Sequence, residues 1–554
     1  MKGIMKKFTV LLLAASAVAM TLIGCSGNTK GSSSSSTSTA TSIAKDASTV
    51  TNLAQSTSEV SESSILTDQT INIGYGTTLD SLTPFRSNTA RNSPYFVQLY
   101  ETLGVMDSMK ETQPYAAKSW VSNDNGFTYE IEIWNTIKDS AGNKITASDI
   151  IWFLTESKKK ALKPVFAKIE SVEKTGDYTF TIKLKSNIVG TFQTLMADTY
   201  IISEKAFKES KDEFGTSCIT TSPYKVVEFV PSASLKFERR TDYWQDIEKM
   251  PEVARPLVKN VNYSIITEAF QLGVALETGK VDAVIDIAST TGSQFIDNKN
   301  FTVDLSDGPQ GWQVFFSGAD TSLLANNVKL RQAICYAIDA NGLITAMCSG
   351  FGTQMWDVGS PRLIGFNDAW KNEDYYSYNL EKAKQLLAES GYKGEKLILL
   401  STSSAFASRL GQLLQNYLAA VGINLELNAM DMALYTAVRL DGTKYDMTIN
   451  TVGGTSLADQ WSIRFDPAAY AAGDATSRKD YTLGNMLYKT WSLDGWTTEN
   501  IDAVHNYLKE NAIAYGLVNP QVFTIWSNKL NMKKVVKGGI SGYMMFPSSQ
   551  FDKQ

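Results

Sequence analysis

The sequence predicts an α/β fold of more than one lobe, with a small antiparallel α+β section inserted early in the chain. Three observations lead there. From Leu397 to Thr451 strand and helix patterns alternate, which implies parallel strands joined by helical crossovers. Over residues 127–133 and 178–184 apolar and polar side chains alternate with period two, the mark of half-exposed antiparallel strands. The chain has 554 residues, whereas single hydrophobic cores stop growing at about 250 to 300.

The chain opens with Lys2, Lys6 and Lys7, an apolar run from Phe8 to Ile23, and small residues before Cys25. That order predicts an export signal over residues 1–24, because the run is short for a membrane span and no positively charged stop follows it. Leu22-Ile23-Gly24-Cys25 resembles the lipobox of bacterial lipoproteins, in which the cysteine is acylated and becomes the new amino terminus. Lipid on Cys25 would hold the chain to the extracytoplasmic face of the cell membrane. Residues 25–66 are dominated by Ser, Thr, Ala and Gly. They carry too little apolar surface to offset their own ordering, so a flexible tether is expected.

The folded body begins with a strand pattern over Thr70–Gly76 and a turn from Leu79 to Phe85, closed by Pro84. Phe127, Tyr129, Ile131 and Ile133 share a strand face, and Tyr178, Phe180, Ile182 and Leu184 repeat the pattern. Between them Thr146–Lys158 reads as a helix, capped by Thr146 or Ser148, with Asp149 near its positive end and Ile150, Phe153 and Leu154 on one face. Thr267 can cap a helix through Glu277, with Phe270, Val274 and Leu276 as core candidates and Gly279 as its stop. A strand over Val281–Ile285 follows, and then a second lobe opens. Asn327 precedes a helix whose Leu330, Ile334, Ala337 and Ile338 share a face, and Asn379 and Gly391 bracket another. Strands over Leu397–Leu400, Asn424–Ala429 and Tyr445–Thr451 alternate with helices over Phe406–Val421 and Met432–Leu440. A last helix is expected from Ile501 to Tyr515.

Composition narrows the chemistry. The net charge of −5 arises from mixed acids and bases, leaving no footprint for nucleic acid and no basic membrane patch. The one histidine, His505, is expected at the surface or half-buried, and it can build neither an imidazole metal site nor a triad without a nucleophile-elbow motif. Cys25, Cys218, Cys335 and Cys348 lack CxxC spacing; Cys335 falls on a buried helix face, and a Cys335–Cys348 bridge stays open. No catalytic residue, metal or cofactor is expected.

The stretch from Tyr445 to Trp461 reads as a ligand loop. Its strand breaks at Gly453-Gly454, and in an α/β lobe the carboxyl end of a strand is where ligands sit. Gly453, Gly454, Thr455, Asp459 and Trp461 are therefore candidate contacts, joined by the aromatic walls Trp312 and Trp356. Such walls suit both peptide side chains and sugar rings. Arg439 and Arg464 are candidates to meet a ligand carboxylate.

Several phrases together resemble the extracellular solute-binding proteins of peptide and nickel ABC importers. They are Tyr100 to Leu103 (YETL), Pro114 to Trp120 (PYAAKSW), Gly126 to Ile133 with Ile145 to Asp149, Ser222 to Lys225 (SPYK), Asp242 to Trp244 (DYW), Ala275 to Ala283 (ALETGKVDA), Val328 to Asp339 (VKLRQAICYAID) and Glu381 to Tyr392 (EKAKQLLAESGY). The resemblance implies a periplasmic-binding-protein-like fold of the large three-domain class. The first lobe would take residues 67–110, 205–310 and 516–554, the insertion 111–204, and the second lobe 311–515. It also implies a monomer that closes over its ligand and hands it to an ABC permease with its ATPase subunits. Leu82 joins the candidate site through the resemblance alone. Peptide binders of the family place an aspartate, which pairs with the ligand's α-amino group, where this chain has Gly454; Asp459 lies five residues on. Nickel fits a chain with one histidine poorly. An oligopeptide-like ligand is the leading expectation, and an oligosaccharide, a surface glycoside hydrolase and a sensor without transport are the rivals.

Overall fold

Ala514–Ser527 is the strand on which both lobes are built. Its sequence, AYGLVNPQVFTIWS, sets β-branched and aromatic residues on either side of Asn519-Pro520. Before that pair it runs antiparallel to Gly311–Phe316, with Trp312 opposite Val518 and Phe315 opposite Ala514. After it the partners become Phe301–Asp307 and Ala283–Ile287, again antiparallel. Proline brings no N–H to the ladder where the partners change. In its place the Pro520 carbonyl accepts from Gly308 N at 3.0 Å.

The computed structural model describes residues 66–86, 93–107, 111–308, 310–452, 454–468, 478–538 and 543–552. The expected export signal, Cys25, most of the expected tether and Gly453 lie outside the described residues. Within them the main sheet has twelve strands. On the second-lobe side of the bridging strand come Gly311–Phe316, Met447–Val452, Leu397–Thr402 and Leu425–Met430; on the other side come Ala283–Ile287, Thr70–Tyr75, Asn260–Ile265, Ser234–Arg239 and Tyr224–Val230. Leu397–Thr402 is parallel to both its neighbours, as the strand–helix alternation implies.

The insertion is a separate antiparallel sheet of Ala117–Val121, Thr128–Ile133, Thr179–Leu184 and Ile169–Lys174. Tyr129, Ile131, Ile133, Phe180, Ile182 and Leu184 are buried, and they share one core with Ile71, Ile73 and Tyr75 of the first lobe. Helix Ala147–Lys159 packs there too. It starts at Thr146, whose backbone N and Oγ1 donate to Asp149 at 2.8 and 2.9 Å.

Three expectations are corrected. Phe270 is 67% exposed, because the helix begins at Ala269 and its inward face is Leu272, Ala275 and Leu276. The helix expected to reach Tyr515 ends at Glu510. Ala512 takes φ +44°, and the β-formers after it enter the bridging strand. His505 is not superficial but 1% exposed. All three described cysteines, Cys218, Cys335 and Cys348, are free thiols.

His505 stacks on Trp370 with ring centres 4.0 Å apart. Its Nδ1 bonds Asp357 Oδ2 at 2.7 Å, and its Nε2 lies 3.3 Å from Glu373 Oε2. Burial pushes the imidazole pKa down, but the hydrogen bond and charge of Asp357, helped by Glu373, raise it on balance above its ordinary value. A histidine raised in the folded state stabilises fully below its unfolded pKa and loses that contribution as pH climbs through the folded one. The urea-stability gap between the parent chain and His505→Gln should therefore be widest below the ordinary imidazole pKa of about 6.5 and narrow as pH rises above it; a constant gap would mean a ring that never gains its proton. At the change of partners, a Cβ on Gly308 would lie 2.4 Å from the Pro520 carbonyl oxygen. Gly308→Ala is expected to cost about 1 to 3 kcal/mol by urea midpoint at unchanged m-value.

Candidate functional site

The three parallel strands of the second lobe end on one edge of the sheet, and the antiparallel Gly311–Phe316 begins there, Gly311 opposite Val452. That edge therefore gathers Trp312, Thr402 to Ser404, Met430 with Asp431, and Gly454. Trp312 is half-buried and stacks on Phe406, in the first turn of helix Ala405–Ala419, at 4.8 Å and 19°. Ser404 caps this helix and Asp431 caps the next, so both helix starts at the edge are satisfied. Gln313 is fully buried with neither amide atom hydrogen-bonded. Sequence reasoning missed both Phe406 and Gln313, since neither stands in a motif.

The loop after Met447–Val452 turns away from this edge towards the insertion. Gly454 has φ +150°, and a Cβ there would meet Gln460 Nε2 at 2.3 Å. Thr455 is buried and shares a hydrogen bond with Thr194 of the insertion, 2.5 Å between hydroxyl oxygens. Ser456 caps helix Leu457–Phe465 and donates to the Val189 carbonyl. The Asp459 carboxylate pairs with Lys168. Trp461 is fully buried in the core that also holds Phe315, Leu457 and Phe465, so it presents no face to solvent.

The remaining candidates stand apart. Trp356 is half-buried between two of the hydrophobic clusters of the second lobe. Leu82 is fully buried; its N–H donates to Gly215 O at 3.0 Å and its carbonyl accepts from Tyr100 Oη at 2.8 Å. Its neighbours Ser81, Thr83, Phe85 and Arg86, with Lys160, line a cavity of about 540 Å³. The Arg464 guanidinium sits 5.1 Å over the Phe315 ring, and the Arg439 carbonyl accepts from Tyr445 Oη at 2.7 Å. Trp312 thus stands at the sheet edge, Gly454 lies against Gln460, Thr455 and Asp459 meet the insertion, and Leu82 belongs to the first lobe.

Three of the phrases that carry the resemblance are held in the scaffold by buried hydrogen bonds. Glu101 of YETL accepts from Trp244 Nε1 of DYW at 3.0 and 3.1 Å and from the Tyr243 hydroxyl. Burial pushes its pKa up to about 8 against the pull of those donors. Thr221 and Ser222 donate to Ile201 O and Gln98 O at 2.8 and 2.7 Å, pinning the SPYK turn to the first lobe. Among the described residues no cluster of His, Cys, Asp or Glu could hold a metal, and no helix is long and apolar enough to cross a membrane.

Comparison with known proteins agrees with this architecture. The family model of the bacterial extracellular solute-binding proteins, family 5 (middle region), matches residues 111–466. The glutathione-binding protein GsiB of Escherichia coli O1:K1 is 25% identical over 370 residues, 65% of this chain and 69% of its own. Among solved structures, NikA of Brucella suis in complex with Fe(III)-EDTA superposes with a TM-score of 0.73 at 18% identity, covering 88% of this chain and all of its own. The oligopeptide-binding protein AppA of Bacillus subtilis, in complex with a nonapeptide, gives 0.64 at 17% identity over 88% and 99%. At such identities the structural likeness speaks for the fold, and the family model speaks for membership: the chain belongs to the bacterial extracellular solute-binding proteins of family 5.

Proposed function

We propose that this chain is the lipid-anchored receptor of an ABC importer, capturing an oligopeptide-like solute between its lobes and delivering it to a permease driven by ATPase subunits. The observation that carries the reading is the Trp312–Phe406 stack at the carboxyl edge of the second-lobe sheet. A flat aromatic surface beside capped helix starts suits an extended chain with apolar side groups. Ligand that touches both lobes binds the closed form better and shifts the population towards it, so no covalent chemistry is required. GsiB and AppA, named for glutathione and oligopeptide binding, support a peptide-like solute.

The rival solute is a non-peptide such as an oligosaccharide, favoured by the same aromatic pair and by the glycine at 454. Isothermal titration against defined peptide pools, with mass spectrometry of co-purified ligand, separates the two. Peptide binding is expected, and binding to sugars alone would overturn the peptide reading. Trp312→Ala should weaken that binding about 30-fold, the scale of a central aromatic contact. Cys25→Ser is expected to move the protein from the membrane fraction to the soluble one and to remove the lipid mass from its amino terminus.

A further inference from the structure

The insertion shares its core with the first lobe, yet it also grips the second. Ile188 and Val189 pack among Leu457, Leu487 and Trp496, and Val189 N donates to Trp491 O at 3.0 Å. Gly190 follows with φ +96°, and a Cβ there would stand 2.3 Å from Ser456 Oγ, so only glycine admits this approach. Ser456 Oγ serves both sides, donating to Val189 O and accepting from Asp459 N at 3.1 Å. The Thr194–Thr455 hydroxyl contact and the Lys168–Asp459 pair complete the join, the charged side chains being 24% and 18% exposed.

Apart from the packing of Ile188 and Val189 and the bonds to Trp491 and from Asp494 N to Asn125 Oδ1, these contacts are polar and gather on the first turns after Gly454. Two apolar side chains of the insertion and a few polar contacts make a join of the size that forms and breaks with a domain motion, smaller than a large apolar interface. We infer that Lys168, Gly190 and Thr194 are positioning residues for the loop Gly454–Asp459, and that the insertion is a clasp that latches the closed form. The inference rests on the solute-receptor reading. Closing the lobes brings the loop onto the insertion; the clasp then slows ligand escape without touching the ligand. It also commits the Asp459 carboxylate to a cation of the protein itself.

The test uses the full-length chain in detergent, with trialanine and glutathione as probes. In Thr194→Cys/Thr455→Cys, whose hydroxyl contact places the side chains within disulfide range, oxidation should lower the association rate at least about tenfold and reduction restore it. Equal rates in the two redox states, or no disulfide at all, would overturn the clasp, because a permanently docked loop needs no opening. Lys168→Ala should raise the dissociation rate about tenfold with association little changed, and Lys168→Arg should recover it. A loss of thermal stability with unaltered rates would reduce Lys168 to a structural role. If the parent chain binds neither tripeptide, the peptide reading loses support while hydrogen exchange still decides the clasp. Lys168→Ala should then speed exchange of the Thr455–Ser462 amides about tenfold, and unchanged exchange would overturn the proposal.

Discussion

The strand Ala514–Ser527 is paired with both lobes, and the rest of the sheet is built out from it. Buried backbone N–H and C=O groups must be paired, so rotation anywhere within the two halves of Ala514–Ser527 would strand them. At Asn519-Pro520 the long partners change and proline has no N–H to give, and the short strand Gly352–Gln354 pairs with Val518 to Pro520 across the change. The Asn519 amide, oriented with its nitrogen towards Gly308 O and Gln310 O at 3.2 and 3.0 Å, ties the neighbouring crossing segment to the same point. Gly308 is glycine because the Pro520 carbonyl lies against it.

The start of the bridging strand is fixed by an unusual device. Arg331 is 2% exposed and donates to the carbonyls of Leu324, Ala325, Asn511 and Ala512. Burial lowers its pKa to about 10. Arg478 donates to the same Ala325 carbonyl at 2.8 Å and to Phe316 O. Backbone carbonyls near helix and strand ends carry the partial negative charge that replaces a counterion. The arginine of VKLRQAICYAID is therefore an anchor for Asn511 and Ala512, immediately ahead of the strand that joins the lobes.

What the sequence made legible were local rules obeyed locally. The helix starts after Asn327 and Asn379 and the parallel trio around Leu397–Thr402 are each set by a few adjacent residues and stand as read, and of the two caps open for the insertion helix the structure takes Thr146. Helix ends were harder. Tyr515 sits as well in a helical pattern as in a strand, and only its pairing with Val314 decides. The candidate site was least legible, because its contacts join distant parts of the chain: Lys168 to Asp459, Trp312 to Phe406, Asp357 to His505. No spacing rule encodes such meetings, and a buried tryptophan such as Trp461 has the same letter as an exposed one.

Asp459 shows how this rearranges the energetics of recognition. A charge-assisted hydrogen bond to a ligand amine contributes about 1.5 to 3 kcal/mol, but at Asp459 that contact is already made by Lys168. The aromatic edge offers a comparable sum from a different source. An aromatic side chain can bury roughly 200 Å²; if a ligand covers half of that on Trp312, about 25 cal/mol per Å² gives about 2.5 kcal/mol. The two terms differ in what they demand. A carboxylate selects a cation at one point, whereas a ring surface selects apolar area at any of several registers. A receptor that relies on the Trp312–Phe406 surface, with its loop carboxylate spent on closure, should discriminate by shape and apolar content more than by the position of an amino terminus.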